Sequence, residues 1–158
     1  MTKTLIVYYS HSGNTEKVAE MIRQKSNGTL LKIEPENPYP QNYNAVVEQA
    51  KKGIQAGIRP TLKTMPDNIE IYDTIFIGSP NWWNTIAPPI ATFLMENDLS
   101  GKTVVPFYTH GGGGSGNIER DIAKLCPQSK MQAGLSINGS SCSNAQVSTW
   151  LSKVDIAK

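Results

Sequence analysis

The sequence predicts an α/β fold: a parallel β-sheet wrapped by helices on both faces. Three observations predict it. Strand-type and helix-type patterns alternate five times along 158 residues, an alternation that right-handed crossovers turn into a parallel sheet with covered faces. The segments Leu5–Tyr9 and Thr74–Gly78 are continuous apolar runs, as in strands buried on both sides. The length suits one domain able to bury a sizeable core, and no repeat or linker divides it, so residues 1–158 are read as a single domain.

Taken in order, Leu5 to Tyr9 is the first strand. It runs into Ser10-His11-Ser12-Gly13-Asn14-Thr15, and a helix follows with Val18, Ala19, Met21 and Ile22 at near-helical spacing. Gly28 is expected to close that helix. Thr29 to Ile33 is a short second strand. The proline-rich Glu34 to Pro40 can continue neither strand nor helix. Tyr43 to Ile58 has a helical pattern with Ala45, Val46, Val47, Ala50 and Ile54 as core positions, and Gly53 and Gly57 weaken its end. Arg59 to Asn68 is polar, carries two prolines and reads as loop.

Thr74 to Gly78 is the third strand and Ser79 to Asn84 a loop. The next helix starts near Ala87, since Pro88 and Pro89 are tolerated in a first turn, and buries Ile90, Phe93 and Leu94. Leu99 to Lys102 turns the chain into a fourth strand, Thr103 to Tyr108, where Pro106 is unusual for an inner strand. Thr109 to Gly116 is a glycine loop, Asn117 to Leu125 a helix, Met131 to Ile137 a short final strand, and Asn144 to Ile156 a closing helix.

Fifteen basic residues stand against thirteen acidic ones. A net charge of +2 is too mild to argue for nucleic acid or a membrane surface. No apolar run approaches the roughly 20 residues of a membrane span. The first residues read as strand rather than signal peptide. Cys126 and Cys142 have no C-x-x-C spacing and no paired histidines, which argues against metal and thioredoxin-like roles. They read as buried or semi-buried thiols of a reducing compartment, and the protein is expected to be cytoplasmic.

In sheets of this kind a ligand sits outside the carboxyl ends of the strands, where strand order reverses. The loops there are residues 10–15, 34–41, 79–86 and 109–116. In the first, strand, tight turn and helix aim backbone N–H groups and a positive helix end at one spot. Ser10, Ser12 and Thr15 add hydroxyls, so a phosphate monoester would be held by neutral donors. The same residues also fit an ordinary turn capped by Asn14 or Thr15. Neither G-x-x-x-x-G-K-[ST] nor G-x-G-x-x-G occurs in this loop, which disfavours ATP and NAD there.

The third loop carries Trp82 and Trp83. Consecutive side chains of an extended segment point opposite ways, so at most one would face a core. In the fourth, Thr109-His110-Gly111-Gly112-Gly113-Gly114-Ser115-Gly116, four successive residues lack Cβ and the backbone can approach a flat ligand. A phosphate site, an aromatic wall and a bare backbone suit a phosphorylated planar heterocycle such as FMN.

Ser10 to Thr15 resembles the phosphate-binding loop of the flavodoxins. Tyr72 to Trp83, Ala87 to Leu94 and Gly101 to Gly116 are also similar to that family, in order along nearly the whole chain. The resemblance implies a flavodoxin-like three-layer sandwich with a five-stranded parallel sheet in the order 2-1-3-4-5. It implies non-covalent FMN, with the phosphate on Ser10, His11, Ser12, Gly13, Asn14 and Thr15. The ring would lie between Pro80, Asn81, Trp82, Trp83 and Asn84 on one side and Thr109, His110, Gly111, Gly112, Gly113 and Gly116 on the other. Trp83, or failing that Trp82, would cover one ring face. Tyr39 and Tyr43 could lie over the entrance.

Two departures stand out. Electron-carrying flavodoxins are strongly acidic, whereas this chain is mildly basic. They also stack a tyrosine from the last loop on the outer ring face, where this chain has glycines. The first expectation is therefore an FMN-binding electron carrier working between redox partner proteins, as a monomer or homodimer. The alternative is an FMN-dependent NAD(P)H:quinone, nitro or azo reductase acting on a small acceptor, with His110 as a tentative proton donor. Residues 8–15, 79–95 and 106–118 contain no acidic side chain, so a potential less negative than in acidic flavodoxins is expected.

Overall fold

Apolar strands line up as a single parallel sheet between two helical layers. The structure, a computed structural model, describes residues 3–154 except 12, 38, 41, 58–59, 64–67, 84, 111–115, 133 and 139–142, and only the backbone of Tyr43. The strands are β1 (Thr4–Tyr8), β2 (Thr29–Lys32), β3 (Thr74–Pro80), β4 (Thr103–His110), β5 (Lys130–Met131) and β6 (Leu135–Asn138). The helices are α1 (Asn14–Ser26), α2 (Tyr43–Ala56), α3 (Pro88–Glu96), α4 (Ile118–Leu125) and α5 (Asn144–Lys153), with a 3-10 turn at Ile69–Ile71. The sheet order is β2-β1-β3-β4-β5, as expected, and β6 also pairs with β4. Registers such as Leu5 with Ile75 and Ile75 with Val104 are parallel throughout.

Side chains alternate across the sheet and bury two cores. Leu5, Val7, Ile75, Ile77 and Val104 face α3 and α4, meeting Ile90, Phe93, Leu94, Ile118 and Ile122. Ile6, Phe76, Val105 and Phe107 face α1 and α5, meeting Val18, Ile22, Val147 and Trp150. This double burial is why the strands read as continuous apolar runs.

The expected final strand, Met131 to Ile137, is two strands, and Pro106 supplies the reason. The N–H groups of Lys130 and Gln132 donate to the carbonyls of Lys102 and Val104, so the even-numbered residues of β4 face this edge. Pro106 falls in that series and has no N–H to give. A Cβ at Gly134 would lie 2.9 Å from both Pro106 Cγ and Pro106 O, so only glycine passes here. The Gly134 N–H turns to Glu119 Oε1 at 3.0 Å, while Glu119 Oε2 accepts from the Tyr108 hydroxyl at 2.6 Å. Each bond to a charged acceptor contributes roughly 1.5–3 kcal/mol. Glu119→Ala is therefore expected to lower the unfolding free energy by about 2–3 kcal/mol in urea. A loss below about 0.5 kcal/mol would assign the strand break to Pro106 alone.

Helix ends also differ from expectation: α2 ends at Ala56 and α5 at Lys153, short of the expected Ile58 and Ile156, and α4 starts at Ile118 with Asn117 as its N-cap. Asn27, not Gly28, takes the left-handed position after α1, with φ 59° and its N–H on Arg23 O at 2.8 Å. Gly28 is needed instead for close approach, because a Cβ there would stand 3.1 Å from Ile6 Cδ1 and Thr4 O. In α2 the Asn42 side chain accepts from Ala45 N and Gly57 closes the C-terminus at φ 68°. β3 and β4 continue to Pro80 and His110, so Pro80, Thr109 and His110 end strands rather than lie in loops. The reading of Cys142 falls outside the described residues. Cys126 is buried, and its thiol, pushed up by burial, reaches Ile122 O.

Candidate functional site

The carboxyl ends of β1, β3 and β4 stand side by side at one edge of the sheet. Beyond β1 the chain turns at Gly13, whose φ of 96° is a conformation that side-chain-bearing residues rarely adopt. Gly13 is the N-cap of α1, no side chain among the described residues caps the helix, and no described atom lies within 4 Å of where its Cβ would sit. The first turn of α1 therefore points its N–H groups and its positive end outward. The capping role considered for Asn14 or Thr15 is not taken; both lie within α1. Ser10 Oγ accepts from Gly13 N at 3.0 Å and shapes the turn. Ser12 lies outside the described residues.

Thr15 is 1% exposed, and its hydroxyl meets that of Thr109 at 2.8 Å. Two hydroxyls share one hydrogen bond with one O–H, which leaves the second O–H to donate elsewhere. Thr109 also accepts the Asn81 N–H on its carbonyl at 2.7 Å. This residue thus ties together the turn after β1, the loop after β3 and the end of β4.

The loop after β3 is closed at its base by buried Ser79, which accepts from Ala87 N and donates to Pro80 O. Its tip is a tight turn, with Trp82 N on Thr85 O at 3.0 Å and Thr85 N on Trp82 O at 3.1 Å. The two tryptophans part company there. Trp82 sits in an aromatic cluster, 5.5 Å from Tyr9 and 5.0 Å from Tyr39 by ring centroids, with His11 at 6.1 Å. Trp83 turns away on to α2 with φ 55° and is 47% exposed. Its indole N–H donates to Val47 O at 3.1 Å, and Lys51 Nζ lies 5.1 Å from its ring. Asn84 lies outside the described residues.

The loop after β2 packs on the same cluster. His11 Nε2 donates to Pro40 O at 2.8 Å, and Tyr39 meets Tyr9 edge-on at 6.1 Å. Burial pushes the Tyr39 hydroxyl up to about 12, and that of Tyr9 higher still. Raised values mean that this stabilisation is complete below pH of about 10, the unfolded value, and declines as pH climbs from there. Alkaline unfolding monitored by circular dichroism is expected to begin above that pH. The expectation for Tyr43 concerns a side chain outside the described residues.

On the fourth side, His110 is the last residue of β4, half-buried and opposite Asn138 of β6. Gly111, Gly112 and Gly113 lie outside the described residues. Gly116 resumes at φ 52° just before α4. Two carboxylates not anticipated from the sequence come from the first turn of α4. Glu119 holds Tyr108, and Asp121 accepts a hydrogen bond from the Thr85 hydroxyl. The only signal for them was their place directly after the glycine loop.

The edge therefore offers an outward helix N-terminus, open space over Gly13, a hydroxyl pair with one O–H to spare and an aromatic wall. These neutral donors suit a phosphorylated aromatic ligand such as FMN. Among the described residues no group of three or more His, Cys, Asp or Glu gathers as metal ligands. No described helix is long and apolar enough to cross a membrane.

Residues 3–154 match the family described as Flavodoxin. The chain is 30% identical to a candidate flavoprotein from Bacteroides eggerthii, with 99% of this chain and 100% of that one covered and a TM-score of 0.88. It is 26% identical to a flavoprotein from Lactobacillus acidophilus solved in complex with FMN, covering 96% and 99% of the two chains at a TM-score of 0.72. It is also 28% identical over 135 residues to an NAD(P)H dehydrogenase (quinone) of Cupriavidus metallidurans, with 79% of this chain aligned. The chain spans 66% of that relative's length.

Proposed function

This chain belongs to the flavodoxin family, and on that premise we propose that it binds FMN at the carboxyl edge of its sheet and transfers electrons between redox partners. The observation that carries this is the convergence on Thr109, which brings the outward N-terminus of α1 beside the loop after β3. The Lactobacillus acidophilus relative, solved with FMN, supports the choice of ligand. FMN supplies the redox chemistry when bound, taking up and giving back electrons that no side chain here could carry.

The chain's own residues do the holding. Ser10, Ser12 and Thr15, with the N–H groups of His11, Ser12, Asn14 and Thr15, take the phosphate, while the Gly13 N–H stays on Ser10 Oγ. Pro80, Asn81, Trp82 and Asn84 form one wall of the crevice, with Trp83 leaning on α2 rather than covering the ring, and Thr109, His110, Gly111, Gly112, Gly113 and Gly116 the other. His110 ends β4 at that wall, and in the reductase reading it is the side chain that would deliver a proton to the quinone. The freshly purified protein is expected to be yellow, with bands near ~375 and ~450 nm. A colourless protein that takes up no FMN on titration would overturn the proposal.

A second reading has its own support: the likeness to NAD(P)H dehydrogenase (quinone). In it, NAD(P)H reduces the bound cofactor directly and a small quinone removes the electrons. A pI near 8.5 also weakens charge steering towards basic partner proteins. Stopped-flow mixing with NADPH separates the two. Rapid loss of the ~450 nm band without added reductase marks the enzyme, and an unchanged band marks the carrier.

A further inference from the structure

We propose that the Trp82–Thr85 turn is set from outside by α2 and α4, and that Trp83 and Asp121 are positioning residues for FMN. This rests on the FMN-binding reading above. The base of the loop is fixed by Ser79, and among the described residues its tip is closed by two backbone hydrogen bonds, Trp82 N to Thr85 O and Thr85 N to Trp82 O. At that tip Trp83 holds φ 55°, a backbone conformation that a bulky L-residue rarely adopts without support.

The support comes from elsewhere in the chain. On one side the Trp83 indole N–H donates to Val47 O of α2, with Lys51 Nζ against the ring. On the other the Thr85 hydroxyl donates to Asp121 Oδ2 of α4. Packing holds only the Trp82 end of the turn, against Tyr9 and Tyr39. Behind Thr85 lies a cavity of about 260 Å³ bounded by Ile54, Ile86, Pro88, Ala91, Asp121 and Leu125. The Thr85 end, which borders this open cavity, is placed by its hydrogen bonds. Trp83, being 47% exposed, adds little to global stability. The anchors therefore govern where this wall of the crevice stands rather than whether the chain folds.

When an anchor is cut, the turn spends only part of its time in the geometry that receives the ring, and affinity falls by that fraction. Thr85→Val and Asp121→Ala are expected to weaken FMN binding about tenfold and to alter the visible circular dichroism of the bound cofactor. Thr85→Ser and Asp121→Asn keep a donor and an acceptor, and should stay within about twofold of wild type. Trp83→Phe keeps a ring but loses the N–H, and should change the dichroism in the same sense as Thr85→Val. Melting of the apoproteins should move by no more than about 3 °C.

Binding within twofold and an unaltered dichroic spectrum for both Thr85→Val and Asp121→Ala would overturn the proposal and leave FMN binding intact. So would a failure of Thr85→Ser and Asp121→Asn to restore them. A wild type that takes up no FMN would overturn the functional reading first, and this proposal with it.

Discussion

Gly78→Ala is expected to destabilise the fold by about 3 kcal/mol, lowering Tm by about 6–12 °C. An ideal Cβ at Gly78 would lie 2.2 Å from Phe107 Cζ and 2.4 Å from its Cε2, far inside contact distance. The backbone of Gly78 is extended, so the requirement is for space and not for a special dihedral angle. Phe107 is fully buried against Ile6, Phe76 and Val105, and its ring has nowhere to go. The atoms that clash are the far edge of the ring, which leucine lacks. Phe107→Leu alone should cost about 1–2 kcal/mol, yet the double variant Gly78→Ala/Phe107→Leu should be more stable than the two single losses imply, by about 2 kcal/mol. Urea midpoints of the four proteins test this. Losses that add to within about 0.5 kcal/mol would show that the ring and Gly78 do not compete for one space.

A larger functional effect is expected at Thr15. Thr15→Val keeps the shape of the side chain and removes its hydroxyl. Two consequences follow from one lost group, and they separate. Buried Thr109 Oγ1 loses its partner, which should cost about 1–3 kcal/mol of stability. Under the proposed function, with Thr109 donating within the pair, the Thr15 O–H that serves the FMN phosphate also goes, and the FMN Kd should rise about tenfold to a hundredfold. Removing both partners in Thr15→Val/Thr109→Val should recover most of the stability, because matched apolar groups bury without an unpaired donor. It should not recover the affinity. Denaturation and FMN titration of the single and double variants distinguish the outcomes. Affinity that returns with stability would mean that the hydroxyl pair serves folding only.

Much of the architecture was legible because its signals are local. Continuous apolar runs marked β1 and β3, helical spacing marked α1 to α3, and the unusual loops fell at the carboxyl ends of the strands. Strand order followed from the family resemblance and agrees with the sheet observed. The break between β5 and β6 had a visible cause in Pro106, but its consequence depended on which edge of β4 the missing N–H would face. Asn27 rather than Gly28 takes the left-handed position after α1, and Gly28 lies where Ile6 and Thr4 approach closely.

What the sequence by itself determined was the alternation of strands and helices, the burial of the strands on both faces, and the place of a serine-rich turn, two tryptophans and a glycine run at one edge. These follow from side-chain periodicity and from the dihedral freedom of glycine and proline, which act over a few residues. Only the tertiary structure decided that Thr15 pairs with Thr109, that Trp83 leans on α2 while Trp82 joins Tyr9 and Tyr39, and that Asp121 holds Thr85. Hydrogen-bond partners 36 or 94 residues apart meet because the sheet places their strand ends together, and no local pattern encodes which donor will find which acceptor.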